Sequence, residues 1–145
     1  MPDPARHVPS LDQSITLIDL PVITDGRGNL TFVEGQRHVP FDIARVYYIY
    51  DVPCGIMRAG HAHRSVWQMM TACAGAFSVH FSNGVERRSV RLERPSQGVL
   101  MAPMVWIEVH GLAPGAVCLV FASSLYDGND YIRDYGEFLR LQGIQ

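Results

Sequence analysis

The stretch Gly55–Gly75, GIMRAGHAHRSVWQMMTACAG, decides the fold that we expect for this chain. His61 and His63 are two residues apart, so on an extended strand both imidazoles leave the same face of the sheet. The apolar residues after them predict a strand that enters a packed interior. Two ionisable rings at the mouth of a core cost free energy, so the pair predicts one shared functional pocket.

The composition is that of one globular domain. The chain has 145 residues, 48% hydrophobic and 18% charged, which is enough to bury a single core. Its formal net charge of −2 gives no overall attraction to nucleic acid or to an anionic membrane. Three separated cysteines, together with the lack of a signal pattern or a membrane-spanning apolar run, indicate reduced thiols in the cytoplasm. We therefore expect a cytoplasmic protein with no nucleic-acid partner and no membrane partner.

The order of patterns along the chain predicts many short strands and one terminal helix. Residues 1–14 hold three prolines and show no period, so we expect an N-terminal arm followed by a single domain over residues 15–145. The predicted strands cover residues 15–20, 22–24, 30–34, 43–50, 77–81, 85–92, 99–102, 105–110 and 116–122, and the predicted helix covers 131–141. Asn129 or Asp130 would cap this helix, and the strand at 116–122 is apolar enough to be covered on both faces. The pattern predicts an all-β antiparallel sandwich or small barrel.

The spacing of Gly55, His61, His63, Gln68 and Gly75 resembles the first motif of the cupin superfamily, which reads Gly, His-x-His, Glu, Gly. The resemblance implies a cupin-type jelly-roll barrel. Gln68 stands where that motif has a metal-binding glutamate, and a neutral amide is a weak ligand for a divalent ion. We therefore expect no bound metal.

A second position keeps a metal alternative open. If Pro103 is the proline of the second cupin motif, Glu108 falls where a histidine is usual. His61, His63 and Glu108 together would form the two-histidine, one-carboxylate set of non-haem iron oxygenases.

A closer resemblance covers about residues 25–138. The stretches that carry it are RVYYIYD (45–51), RAGHAHR (58–64), PMVW (103–106) and YDGNDYIRDY (126–135), and they are similar to the WxcM-like sugar 3,4-ketoisomerases acting on dTDP-4-keto-6-deoxyglucose. The resemblance implies a homodimeric, cytoplasmic isomerase that needs no cofactor or metal. Its product would lead to 3-amino-3,6-dideoxyhexoses for lipopolysaccharide or another surface polysaccharide.

The same resemblance assigns residues to roles. It implies that His61 and His63 are catalytic, with His61 as the base and His63 as its partner. The residues expected to bind the dTDP-linked keto-deoxysugar are Arg27, Asn29, Arg45, Tyr47, Arg58, Gln68 and Ile107. Arginine forks suit a diphosphate, and Asn29 and Ile107 stand where family members differ, which leaves the configuration at carbon 4 of the product open.

The chemistry agrees with a histidine pair. Moving a ketone from carbon 4 to carbon 3 requires removal of the carbon 3 proton and its replacement at carbon 4 through an enediol. Histidine, with an ordinary pKa of about 6.5, can serve as base and then as acid near neutral pH.

Two other functions compete with the isomerase. One is the metal-dependent cupin oxygenase, and the other is a non-catalytic cupin that binds a nucleotide sugar. Less specific interpretations remain for single positions: exposed histidines, an edge-strand charge at Arg45, packing for Tyr47, and caps or ion pairs for the acidic residues of 126–135.

Overall fold

A computed structural model describes residues 7–144, and most of them lie in antiparallel strands. The strands are β1 Ile15–Asp19, β2 Val22–Asp25, β3 Gly28–Thr31, β4 Arg45–Ile49, β5 Arg58–His63, β6 Gln68–Ala74, β7 Phe77–Ser82, β8 Arg87–Leu92, β9 Gln97–Met101, β10 Trp106–His110, β11 Val117–Ala122 and β12 Tyr131–Ile132. The helices are α1 Leu11–Ser14 and α2 Tyr135–Leu141, with one 3₁₀ turn at Gly128–Asp130. One sheet has the order β1-β9-β6-β11-β4, the other β12-β5-β10-β7-β8, and β2 pairs with β3 as a separate ribbon. The predicted cupin-type antiparallel sandwich with a short C-terminal helix is confirmed.

The main core lies between the two five-stranded sheets. Alternate residues of β7 and β10 point into it, and Phe77, Val79 and Val109 are fully buried. On β11 the face that carries Cys118 and Val120 is fully buried, whereas the opposite face is only half-covered. The prediction that both faces of this strand are covered is therefore wrong for the outer face.

The predicted N-terminal arm ends in a helical turn that belongs to the core. Ser10 caps α1, because its hydroxyl accepts from the backbone N–H of Gln13 and the Gln13 side chain accepts from the backbone of Ser10. Leu11 is 1% exposed and packs in the main core. Residues 1–6 of the predicted arm lie outside the described residues, as does residue 145.

The two predicted hairpins turn at the residues that the sequence indicated. Asn83 stabilises the turn between β7 and β8, because its side-chain oxygen accepts from the backbone of Val85 at 2.8 Å and of Glu86 at 2.7 Å. The β2–β3 ribbon bends at Gly26 and Arg27, as its sequence predicted. The strand predicted at 99–102 begins two residues earlier, at Gln97, because it pairs with both β1 and β6.

The C-terminal helix is shorter than its periodicity predicted. Tyr131 and Ile132 pair with His63 and Ala62 of β5, so they form a strand instead of the first helical turn. The side chain of Asp134 then caps α2, accepting from a backbone N–H at 2.8 Å. The predicted cap at Asn129 or Asp130 is wrong, because strand pairing outweighs local helical spacing here. Within residues 7–144 no helix is long and apolar enough to cross a membrane.

Gly75 offers a test of the packing between β6 and β11. Its φ is +67°, and an added Cβ would lie 2.9 Å from the Cα of Ala116. We expect Gly75→Ala to lower the free energy of unfolding by about 2–4 kcal/mol, from a left-handed backbone and a backbone clash together.

Gly55→Ala is the matched control for this measurement by urea unfolding. Gly55 also has a positive φ, +82°, but nothing lies within 4 Å of the added atom. Gly55→Ala should lower the free energy of unfolding by only about 1–2 kcal/mol, the cost of alanine in a left-handed backbone. Equal losses in the two variants would contradict the assigned clash.

Candidate active site

A cavity of about 320 Å³ lies between the two sheets and is lined from five strands. Five of the residues that the sequence predicted are in its wall: Tyr47, Arg58, His61, Gln68 and Ile107. The cavity therefore brings together residues from β4, β5, β6 and β10 that are up to 60 positions apart.

A β-bulge in β5 aims His61 into this cavity. His61 pairs with Ile107, but the next residue of β10, Glu108, pairs with Ala59, so Gly60 is the extra residue. Ala59 and Gly60 both have positive φ, at 65° and 75°. A positive φ is uncommon for alanine, so backbone strain is stored two residues before the predicted base, His61.

The two histidine rings lie together, as their spacing predicted. The ring centroids of His61 and His63 are 5.0 Å apart, and the rings are nearly perpendicular at 87°. The ring of Tyr131 packs against both, with centroids 4.9 Å from His61 and 4.5 Å from His63. His61 lines the cavity, whereas His63 lies deeper and is only 2% exposed.

Both histidines are neutral at neutral pH. Burial, together with smaller effects of the charges of His63 and Arg133, lowers the pKa of His61 to about 4. Burial also lowers the pKa of His63, although Asp130 acts in the opposite direction. A neutral imidazole carries a free lone pair, so either ring can accept a proton.

Asp130 anchors His63 from behind. Its Oδ2 lies 3.0 Å from Nδ1 of His63, and its Oδ1 accepts from the backbone N–H of Ser65 at 2.9 Å and from the Ser65 hydroxyl at 2.6 Å. Burial raises the pKa of Asp130, but hydrogen bonds from Ser65 and His63 outweigh it, so the pKa is lowered and the carboxylate is ionised. Nε2 of His63 is buried and has no hydrogen-bond partner in the described chain.

A neutral polar wall faces the histidines from β4 and β6. The Gln68 amide donates to the hydroxyl of Tyr47 at 2.8 Å, and burial raises the pKa of that hydroxyl. The guanidinium of Arg45 lies 5.1 Å from the Tyr47 ring centroid and donates to the hydroxyl of Tyr131 at 3.5 Å. Arg45 thus borders the cavity through the tyrosines that it holds.

Two cationic side chains line the cavity itself. Arg58 begins β5, and Arg133 follows β12 with its guanidinium 4.3 Å from the ring centroid of Tyr131. Within residues 7–144 neither forms an ion pair with an acidic side chain. They are therefore available to an anionic ligand.

Two of the expected substrate-binding residues lie elsewhere. Arg27 is at the bend of the β2–β3 ribbon, where its side chain is 91% exposed and forms an ion pair with Asp25 at 2.7 Å. Asn29 is on the same ribbon and accepts from the Thr24 hydroxyl at 2.7 Å. Neither residue lines the cavity of its own chain.

The metal-ligand set that includes Glu108 is not assembled. Glu108 faces a separate cavity, where it accepts from Nε1 of Trp106 at 2.9 Å and is hydrogen-bonded to Nε2 of His110 at 2.9 Å. Across residues 7–144 no three or more His, Cys, Asp and Glu side chains are placed to hold one metal ion. The histidines of the cavity thus lack the carboxylate that the oxygenase alternative requires.

Sequence reasoning missed three residues of the site: Asp130, Tyr131 and Arg133. All three lie within 126–135, a stretch that carried the family resemblance. The helical spacing there hid the strand pairing that brings Tyr131 opposite His63. Asp130 had been expected to serve as a cap or an ion-pair member, and its actual partner is the histidine.

The fold and the site define a class: a cupin-type sandwich with a pair of histidines beside a cavity between its sheets, and one of these histidines lines that cavity. The family described as "FdtA: WxcM-like, C-terminal" matches residues 13–143. The chain belongs to this family, and it is an isomerase.

Relatives with known names support this membership. The chain is 36% identical to TDP-4-oxo-6-deoxy-alpha-D-glucose-3,4-oxoisomerase from Aneurinibacillus thermoaerophilus, over 84% of this chain and 88% of that protein. A mutant of the 3,4-ketoisomerase QdtA from Thermoanaerobacterium thermosaccharolyticum, in complex with TDP-4-keto-6-deoxyglucose, has a TM-score of 0.87 at 36% identity, covering 89% of this chain and 94% of that one. A 3,4-ketoisomerase from Helicobacter canadensis has a TM-score of 0.86 at 35% identity, covering 88% and 96%.

The lowered histidine pKa values predict how stability depends on pH. Below the ordinary pKa of about 6.5 the unfolded chain binds protons that the folded chain does not, so the free energy of unfolding falls as the pH drops toward the folded pKa. For His61, the shift from 6.5 to about 4 corresponds to about 3 kcal/mol.

We therefore expect the free energy of unfolding, measured in urea, to fall less steeply in His61→Asn than in wild type between about pH 7 and pH 4.5. His7→Asn, at an exposed position, should keep the wild-type slope. A wild-type slope in His61→Asn would show that His61 is not held neutral by burial.

Proposed function

We propose that this protein is a sugar 3,4-ketoisomerase that converts dTDP-4-keto-6-deoxyglucose to a dTDP-3-keto-6-deoxyhexose. The observation that carries the proposal is the pair of neutral imidazoles, 5.0 Å apart, at a cavity between the sheets. The substrate is the one named for the bound complex of the QdtA relative. The cavity offers a base, His61, and cations for a diphosphate, and a second proton acceptor, His63, lies deeper beside that base.

In the proposed reaction His61 takes the proton from carbon 3, which the neighbouring carbonyl makes acidic. The electron pair of that bond forms the double bond between carbons 3 and 4 and leaves the carbon 4 oxygen as an enediolate. His63 then takes the proton of the carbon 3 hydroxyl as the ketone forms at carbon 3, and protonated His61 gives a proton to carbon 4. Protonated His63 gives its proton to the carbon 4 oxygen, which restores both neutral rings.

The cations of the cavity are proposed to hold the diphosphate. Arg58 and Arg133 face the cavity without acidic partners in the described chain, and Tyr47 offers an aromatic face to the nucleotide. The charge of Arg133 lowers the pKa of His61, so an anion that pairs with this arginine raises that pKa. Substrate binding would thus strengthen the base when it is needed. Gln68, Arg45 and Ile107 are proposed to shape the wall.

Arg27 and Asn29 do not line the cavity of their own chain, so we assign them to substrate binding through another copy of the chain. Their ribbon leaves the sandwich with apolar side chains about half exposed: Val22 at 48%, Ile23 at 56% and Leu30 at 54%. Exposed apolar side chains on a projecting ribbon favour burial against a partner. We therefore propose a homodimer in which each ribbon reaches the cavity of the other protomer.

The setting of the reaction is proposed from the family. A keto-deoxysugar nucleotide is an intermediate toward 3-amino-3,6-dideoxyhexoses, which would be made in the cytoplasm and used in a surface polysaccharide such as lipopolysaccharide. The configuration at carbon 4 of the product is read directly from its NMR spectrum.

The reaction is tested by giving enzymatically made dTDP-4-keto-6-deoxyglucose to metal-stripped protein in deuterated water and following the sugar by NMR. We expect the 3-keto sugar with deuterium incorporated, and at least a 100-fold slower incorporation in His61→Asn, since general-base catalysis contributes about 10²–10⁴-fold.

The competing functions give different results in the same experiment. Binding of dTDP without any rearrangement would support a non-catalytic sugar-nucleotide cupin. Activity that is lost on metal stripping and restored by iron would support the oxygenase class. Near wild-type exchange in His61→Asn would remove His61 from the role of base.

The proposal that each β2–β3 ribbon reaches the cavity of the other protomer is tested by mixing two variants of low activity, Arg27→Ala and His61→Asn. In a mixed dimer, the intact cavity of the Arg27→Ala protomer receives an intact ribbon from the His61→Asn protomer. After subunit exchange we expect recovery to about one quarter of wild-type activity, because half of the dimers are mixed and each has one complete site.

Two results would contradict the exchanged ribbon. The mixture would show no recovery if Arg27 acts within its own protomer. Arg27→Ala would keep full activity alone if the residue has no role at the site. Light scattering on the wild-type protein should give the mass of two chains.

A further inference from the structure

We propose that Asp130 is a positioning residue that fixes the tautomer of His63, so that Nε2 of this ring is the proton acceptor in the reaction. This inference rests on the proposed function for its kinetic consequence, but the tautomer itself is independent of it. Asp130 does not line the cavity and acts only through the histidine.

The hydrogen-bond geometry determines the tautomer. The carboxylate of Asp130 can only accept, so the 3.0 Å contact requires the proton on Nδ1 of His63. A neutral imidazole has one proton, and Nε2 is then left with its lone pair. That nitrogen is buried without a hydrogen-bond partner in the described chain, which leaves an acceptor unsatisfied until a hydroxyl or a water reaches it.

The carboxylate is itself held in one orientation. Both donors of Ser65 bind the same oxygen, Oδ1, and leave Oδ2 for the histidine. In the turn after β5, the backbone N–H of Arg64 also donates to the backbone carbonyl of Asp130 at 2.9 Å. The turn after β5 and the segment before β12 are thus tied together, and Asp130 cannot rotate away without losing three hydrogen bonds.

This arrangement divides the proton transfers between the two rings. His61 lines the cavity and lies next to Arg133, whereas His63 lies deeper and has an ionised carboxylate behind it. A carboxylate behind an imidazole stabilises the imidazolium that forms when Nε2 takes up a proton. His63 is therefore built to take the hydroxyl proton of the enediol, while His61 takes the proton from carbon.

Asp130→Asn should reverse the tautomer. The two donors of Ser65 select the amide oxygen for the Oδ1 position, so the amide NH₂ replaces Oδ2 opposite the histidine. That NH₂ can only donate, and it then requires a bare Nδ1 and a proton on Nε2. The side chain keeps its shape and most of its hydrogen bonds, but the acceptor at Nε2 is gone.

The tautomer is measured by NMR on protein labelled with ¹⁵N-histidine, with the signals of His63 assigned by their loss in His63→Asn. We expect the wild-type ring to be protonated on Nδ1 and bare on Nε2 at neutral pH, and the Asp130→Asn ring to be protonated on Nε2. A wild-type ring protonated on Nε2 would overturn the proposal, and this result needs neither the variant nor the substrate.

The kinetic test compares Asp130→Asn with Asp127→Asn. Asp127 caps the neighbouring 3₁₀ turn by accepting from the Asn129 N–H at 3.0 Å, and asparagine can make the same cap. We expect kcat of Asp130→Asn to fall by at least about 100-fold with KM changed less than about threefold, because the acceptor acts in the reaction and not in binding. Asp127→Asn should stay within about twofold of wild type.

The outcomes separate this proposal from the proposed function. A kcat of Asp130→Asn within about threefold of wild type would overturn the positioning role. If wild-type protein did not rearrange the sugar at all, the proposed function would fail while the tautomer of His63 could still be confirmed. If Asp130→Asn did not fold, as judged by its melting temperature, the wild-type tautomer alone would decide.

Discussion

The site depends on the pairing of β12 with the end of β5. Two residues, Tyr131 and Ile132, pair with His63 and Ala62 and extend the second sheet by one short strand. This pairing places the Tyr131 ring against both histidines and brings Asp130 to the back of His63. Ile132 is fully buried in the same hydrophobic cluster as Trp106, and this packing holds the short strand against the sandwich. Without this strand His63 would lose its carboxylate and the cavity would lose one wall.

The electrostatics of the cavity are those of neutral bases among cations. Burial keeps both imidazoles uncharged, and the charged side chains that line the cavity in the described chain are Arg58 and Arg133, with Arg45 held behind Tyr47 and Tyr131. An anionic ligand would therefore be attracted to the arginines while the histidines remain free to accept protons. The carboxylate of Asp130 lies behind the cavity wall, where it acts on one ring and does not repel the ligand.

Much of the fold could be predicted because local rules and burial agree in most of the chain. The Asn83 turn, the alternation in β4 and the spacing of the two histidines each specify one local arrangement, and the structure has all three. The prediction for residues 126–135 failed because their spacing suits a helix. The strand that forms there is fixed by a distant partner, since Tyr131 pairs with His63, 68 positions away. The partner of Asp130 could not be predicted for the same reason, since a long-range contact fixes it. The prediction for Glu108 failed for a different reason. Glu108 follows Ile107 on β10, and neighbouring strand residues point to opposite faces, so Ile107 lines the cavity of His61 while Glu108 faces a separate one and is hydrogen-bonded to Trp106 and His110.

The central claim is that the histidine pair meets carbons 3 and 4 of a keto sugar inside the cavity between the sheets. A crystal structure of this protein with dTDP-4-keto-6-deoxyglucose bound tests it most directly. We expect a ring nitrogen of His61 at about 3–3.5 Å from carbon 3, with the diphosphate at Arg58 and Arg133. A sugar ring bound in the cavity that holds Glu108, or bound away from both histidines, would contradict it.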